Sequence, residues 1–278
     1  MTPSLSIVVA EVFLDARDAP LLAALVALAP RARCAQVHLI HVVEAGRAWP
    51  GRTVPTPPRP PALDLLVAEL SALLPEVRTV GVHRSGRSMD EIARLAGEVR
   101  AELLVVRRSA LPETAGWAEH GQRLLRLADC SVLVVPDGAS VAFAHAAVGM
   151  DFSENARLAV DLARSLVDRV TVVAVIDPTH ERGGGEVEAS IRETWRQQNP
   201  GDGAPSLVVV AARSPAEALA SVPDVDLLVC GSRGLTPLAA VLLGSTAERL
   251  GAVCSGLLLV VRRPGDHQGL FQSLFRVG

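Results

Sequence analysis

Short runs of aliphatic and β-branched residues recur along the chain, separated by longer segments in which apolar residues return with helical spacing. The short runs predict strands at residues 6–10, 36–43, 79–82, 101–106 and 132–135, and again at 146–150, 170–176, 207–211, 225–230 and 256–261. In the second half, the longer segments predict helices near 154–166, 186–197, 215–221 and 245–251. Strands that are apolar throughout are those of a parallel sheet covered on both faces. The alternation therefore predicts an α/β fold, built from two tandem open-sheet units flanked by helices.

The duplication is visible in the residues. A shift of 124 positions carries Glu102-Leu103-Leu104-Val105 onto Asp226-Leu227-Leu228-Val229, then Leu111 onto Leu235, Cys130 onto Cys254 and Ser131 onto Ser255. Two S-x-x-E segments, Ser88 to Glu91 and Ser214 to Glu217, have the spacing of a capping box and are each expected to open a helix before the matching strand. Pro215, at the first helical position, agrees with this. The expected division is residues 1–138, residues 144–263 and a tail of 264–278, in which Leu270, Phe271, Leu274 and Phe275 keep helical spacing. The Pro-rich stretch 50–61 and Gly183-Gly184-Gly185 read as loops.

Composition narrows the chemistry. The formal net charge is −3, which argues against a polyanion binder, and no apolar helical run is long enough to span a bilayer. All 27 basic Lys+Arg positions are Arg. Without lysine, the usual phosphate-binding loop, the kinase phosphate lysine and Schiff-base chemistry are excluded. Cys34, Cys130, Cys230 and Cys254 are widely spaced without a C-x-x-C pair, as expected of a reduced, cytoplasmic chain. His38 and His41 point to opposite faces of one strand and read as packing residues.

One segment carries candidate chemistry. The strand ending at Cys230 runs into Gly231-Ser232-Arg233-Gly234, followed by nine residues and then Gly244-Ser245-Thr246. Glycines there let the backbone turn and approach a ligand at a strand's carboxyl end, and the third opens a helix whose N–H groups attract anions. Glycines that merely make turns are the bland alternative.

This G-x2-G-x9-G-[S/T] pattern resembles the ATP-binding signature of the universal stress proteins, and the resemblance, to a tandem member, covers nearly the whole chain. It implies two units with five-stranded, mostly parallel sheets, Rossmann-like and similar to the adenine nucleotide alpha hydrolases. It also implies ATP, with or without Mg²⁺, bound with little or no hydrolysis; AMP and cyclic nucleotides stay open. Met150-Asp151-Phe152-Ser153 resembles the family's first strand-to-helix turn, which brings Asp151 to the nucleotide. Val175 matches the valine whose backbone meets adenine, and Gly231, Arg233, Gly234, Gly244, Ser245 and Thr246 would cradle ribose and phosphates. No metal ligand and no catalytic residue is implied. Members of the family commonly dimerise through the region of the last strand, so internal pseudo-dimer packing is expected, with or without a homodimer.

The first copy departs from this pattern. Arg107 stands for Gly231, Ala110 for Gly234 and His120 for Gly244, and Glu11-Val12-Phe13 follows the first strand where an aspartate is needed. Its nucleotide site is therefore expected to be lost, leaving a structural or regulatory partner; Arg107 and Arg108 read as two solvated arginines, with an anion site built on them as the alternative. Three functions follow: a nucleotide-occupancy sensor in stress response, an enzyme that is either a slow ATPase or a self-phosphorylating protein using Ser245 or Thr246, and a nucleotide-independent assembly module.

Overall fold

The computed structural model describes residues 5–44, 57–108, 128–179, 184–201, 203–232, 249–250, 254 and 256–263. The chain divides into two units, Ser4–Val141 and Ala142–Val261.

In the first unit the order is β1 (Ile7–Glu11), α1 (Ala19–Ala32), β2 (Gln36–Glu44), α2 (Pro61–Leu73), β3 (Arg78–Gly86), α3 (Ser88–Val99), β4 (Leu103–Arg108) and β5 (Ser131–Pro136). In the second it is β6 (His145–Met150), α4 (Glu154–Leu166), β7 (Arg169–Ile176), α5 (Gly184–Gln198), β8 (Ser206–Ala211), α6 (Pro215–Ala220), β9 (Leu227–Gly231) and β10 (Leu257–Val261). Strands are arranged β3-β2-β1-β4-β5 in the first sheet and β8-β7-β6-β9-β10 in the second. The two orders are the same, element for element. Neighbouring strands within each unit run parallel.

Burial explains the apolar runs. Val8, Val9, Ala10, Leu39, Ile40 and Leu103 to Val105 are sealed in the first core, and Ala146 to Val148, Val172, Val173 and Leu257 to Val261 in the second. All four cysteines are buried and outside any disulfide; burial pushes the Cys34 thiol up to about 11 and those of Cys130 and Cys230 to about 12, so these three are not poised as nucleophiles. His41 stacks on His83 of the neighbouring strand with ring centroids 5.5 Å apart, while His38 is buried, as packing residues should be. Among the described residues, no helix is long and apolar enough to cross a membrane.

Three sequence expectations change. Ser214 caps α6, accepting the Glu217 N–H, but Ser88 does not cap α3. Arg87 is the cap residue there, and the Ser88 hydroxyl instead donates to the buried Glu11 carboxylate at 2.6 Å. Tertiary demand thus overrides the local motif. Gly184 and Gly185 belong to α5 rather than to a loop. β3 extends to Gly86, paired with β2 along all of its nine residues. The predicted helix at 245–251 and the tail lie outside the described residues, as do most of the Pro-rich stretch and Gly183, apart from residues 249–250.

Candidate functional site

Each sheet has one point at which the chain reverses its direction of growth: after β3 it returns to the far side of β1, and after β8 to the far side of β6. Crevices at the carboxyl ends of such strands are where open α/β sheets take ligands. In the second unit this crevice lies beyond β6 and β9, with β7 next to β6.

The sheet brings three of the predicted residues together. Met150 pairs with Ala174, so Asp151 comes level with Val175 one position on. Val148 pairs with Val229, which brings Gly231 and Ser232 to the same end of the sheet. Asp151 is exposed, and its Oδ1 accepts the Ser153 N–H at 2.9 Å. Phe152 has a left-handed backbone, φ 61°, and Ser153 then caps α4 by accepting the Ala156 N–H at 3.2 Å. Arg233, Gly234, Gly244, Ser245 and Thr246 lie outside the described residues.

Gly231 has a reason that the sequence did not show. It has no positive φ; a Cβ built on it would lie 3.0 Å from the backbone carbon and from the Cβ of Asn155, in the first turn of α4. Its missing side chain therefore lets α4 approach the end of β9. Next to it, Ser232 is fully buried, and its hydroxyl has no hydrogen-bond partner among the described residues.

The first unit answers the same geometry differently. Val8 pairs with Leu103 as Ala146 pairs with Leu227, so Val8 and Ala146 are equivalent. Counting forward puts Phe13 on Asp151, Leu14 on Phe152, Asp15 on Ser153 and Asp18 on Ala156. Local geometry agrees: Leu14 is left-handed at φ 63°, and Asp15 is a helix cap. Residues 16–18, whose counterparts start α4, form a 3-10 turn instead.

Arg107, equivalent to Gly231, is not solvated; its side chain is 5% exposed. One guanidinium nitrogen lies 2.8 Å from Asp15 Oδ1 and 3.3 Å from Asp18 Oδ1, and Nε lies 3.3 Å from Asp137 Oδ1. The guanidinium carbon sits 4.1 Å from the centre of the Phe13 ring, a cation–π contact. Asp18 in turn accepts the N–H groups of Phe13, Leu14 and Asp15 at 3.0, 2.7 and 3.4 Å. Burial opposes the charged form of Asp15, but hydrogen bonds from Arg17 and Arg107 override it and lower its carboxyl from 3.8 to about 2. Burial pushes Asp18 upward, against the Leu14 N–H and the Arg107 charge.

A family model described as "Universal stress protein family" matches residues 7–136 and again 143–262. The chain belongs to the universal stress protein family. Both copies of the family's unit are present in tandem. Among solved structures, a universal stress protein from Archaeoglobus fulgidus DSM 4304 superposes with a TM-score of 0.65 at 13% identity, covering 95% of this chain and 98% of its own. A protein of unknown function from Pseudomonas aeruginosa PAO1 gives 0.68 at 17% identity, covering 98% and 97%. At such identities the likeness is one of fold. No curated protein matches the sequence.

Sequence reasoning placed Arg107 opposite Gly231 but missed its carboxylate partners. One local signal was available: Arg107 directly follows four fully apolar strand positions, where a solvated arginine is out of place.

Proposed function

We propose that the second unit binds ATP at the carboxyl ends of β6, β7 and β9, and that the chain reports nucleotide occupancy in a stress response with little or no hydrolysis. The observation that carries this reading is the contrast between the two crevices. Where the first unit places Arg107 and Asp18, the second places Gly231 and Ala156, which bring neither charge nor bulk. The described residues fit a nucleotide there. Asp151 stands exposed at the lip for a ribose hydroxyl, the Val175 backbone is level with it, and the buried Ser232 hydroxyl lacks a partner among the described residues. Family membership supports the stress-response part.

A second reading has its own observation. The close approach of α4 accounts for Gly231 without any ligand, which favours a nucleotide-independent assembly module.

Isothermal titration with ATP and Mg²⁺ separates the two. Micromolar binding of one nucleotide per chain, lost in Asp151→Ala and Gly234→Val, is the expected result. A folded chain that takes up no ATP, AMP or cyclic nucleotide would leave the assembly module.

A further inference from the structure

Nothing in an α/β switch-point crevice requires it to stay open. In the first unit the strand-end position that is glycine in the second carries the longest basic side chain, and the protein buries it rather than sending it to water. Burying a guanidinium is costly unless its charge and its donors are met. Here the charge is met from three directions, and one nitrogen donates to Asp15 and Asp18. Asp15 and Asp18 come from the turn after β1, Asp137 from the residue after β5, and the Phe13 ring covers the cation's face.

The anion is also supplied from within. Three consecutive N–H groups, from Phe13, Leu14 and Asp15, converge on the Asp18 carboxylate, a concave arrangement of donors that suits an anion. In the second unit the equivalent turn is handled otherwise: the Phe152 N–H meets Met150 Sδ at 3.2 Å, Ser153 meets Asp151, and Ala156 offers no carboxylate.

We propose that the Arg107–Asp18 pair is an internal ligand: one cation and one anion of the chain itself occupy the first unit's switch-point crevice, held by Asp15, Asp137 and Phe13. This closes the crevice to small molecules and keeps the unit in a permanently liganded form. Only the contrast with an open second unit rests on the nucleotide reading; the occupied first unit stands without it. The 3-10 turn at residues 16–18 accompanies the occupied crevice, whereas the second unit has α4 at the equivalent positions, against Gly231.

The test uses the full chain. Arg107→Ala leaves three carboxylates around an empty, planar slot. Its thermal midpoint should fall by about 10 °C, given the cost of stripping a buried charge of its partner. Millimolar methylguanidinium, whose fork and flat face match the carboxylates and the Phe13 ring, should restore much of the loss. Methylammonium at the same concentration should not. An unchanged midpoint, or equal recovery with both cations, overturns the proposal. A second measurement leaves the cluster intact, so it holds even if Arg107→Ala does not fold. Gly234→Val, disabled only in the second unit, should take up no ATP, and uptake of one equivalent would show that the first crevice is open. Failure of the wild-type chain to bind ATP would sink the nucleotide reading while leaving the methylguanidinium result to judge the internal ligand.

Discussion

Arg107 and Gly231 hold the same position in two copies of one unit, and the side chains around each have adjusted to it. Around Arg107 the adjustment is electrostatic, and Asp15 carries its clearest signature. Its folded carboxyl titrates at about 2 rather than 3.8, so its contribution to stability is complete above the unfolded value and disappears as pH falls through that window. We expect the stability difference between wild type and Asp15→Asn, read from urea unfolding midpoints, to be constant near neutrality and to close as pH falls from about 4 to about 2. A difference that does not change with pH would mean that the Arg17 and Arg107 contacts do not hold the charged form. Asp15 is one-third exposed, so solvent screening keeps this effect modest.

Between elements, the approach of α4 to β9 is the contact on which the second crevice depends. A methyl group at position 231 would press on the backbone of Asn155 and on the Ala156 nitrogen, 3.0 and 3.2 Å away. The helix backbone has to give, because no flexible side-chain end is there to move aside. Gly231→Ala should therefore cost about 1–3 kcal/mol in nucleotide-free protein, as overpacking does. Gly203→Ala is the control: nothing lies within 4 Å of its Cβ, and surface changes of that kind stay within about 0.5 kcal/mol. If the two variants unfold at the same urea concentration, Gly231 is not needed for packing, and its absence of a side chain belongs to the ligand alone. The same scale shows why one capping motif was misread. Ser88 and Ser214 have the same local spacing, but the buried Glu11 of β1 captures the Ser88 hydroxyl, whereas Gly149, its counterpart in β6, has no side chain to do so.

Across the whole molecule, two units of one topology carry opposite crevices, so a ligand should act on only one of them. Hydrogen exchange with saturating ATP should slow the amides of β6, β7 and β9 and leave those of β1 and β4 unchanged. At a hundredfold excess over Kd the protection is worth about 2.7 kcal/mol at most. Equal slowing of β1 and β4 would mean that nucleotide reaches the first crevice as well. The sequence by itself determined the duplication, the positions of the strands and the α/β class, because hydrophobic periodicity is a local property that each copy repeats. It also determined that Arg107 replaces a glycine. Only the tertiary structure decided what that replacement means. Asp15, Asp18 and Asp137 are all remote from Arg107 along the chain and come together because parallel pairing sets β1, β4 and β5 side by side with their carboxyl ends aligned. Whether a charge is solvated or buried depends on which opposite charges the fold brings to it, and strand order and register, not local pattern, fix that.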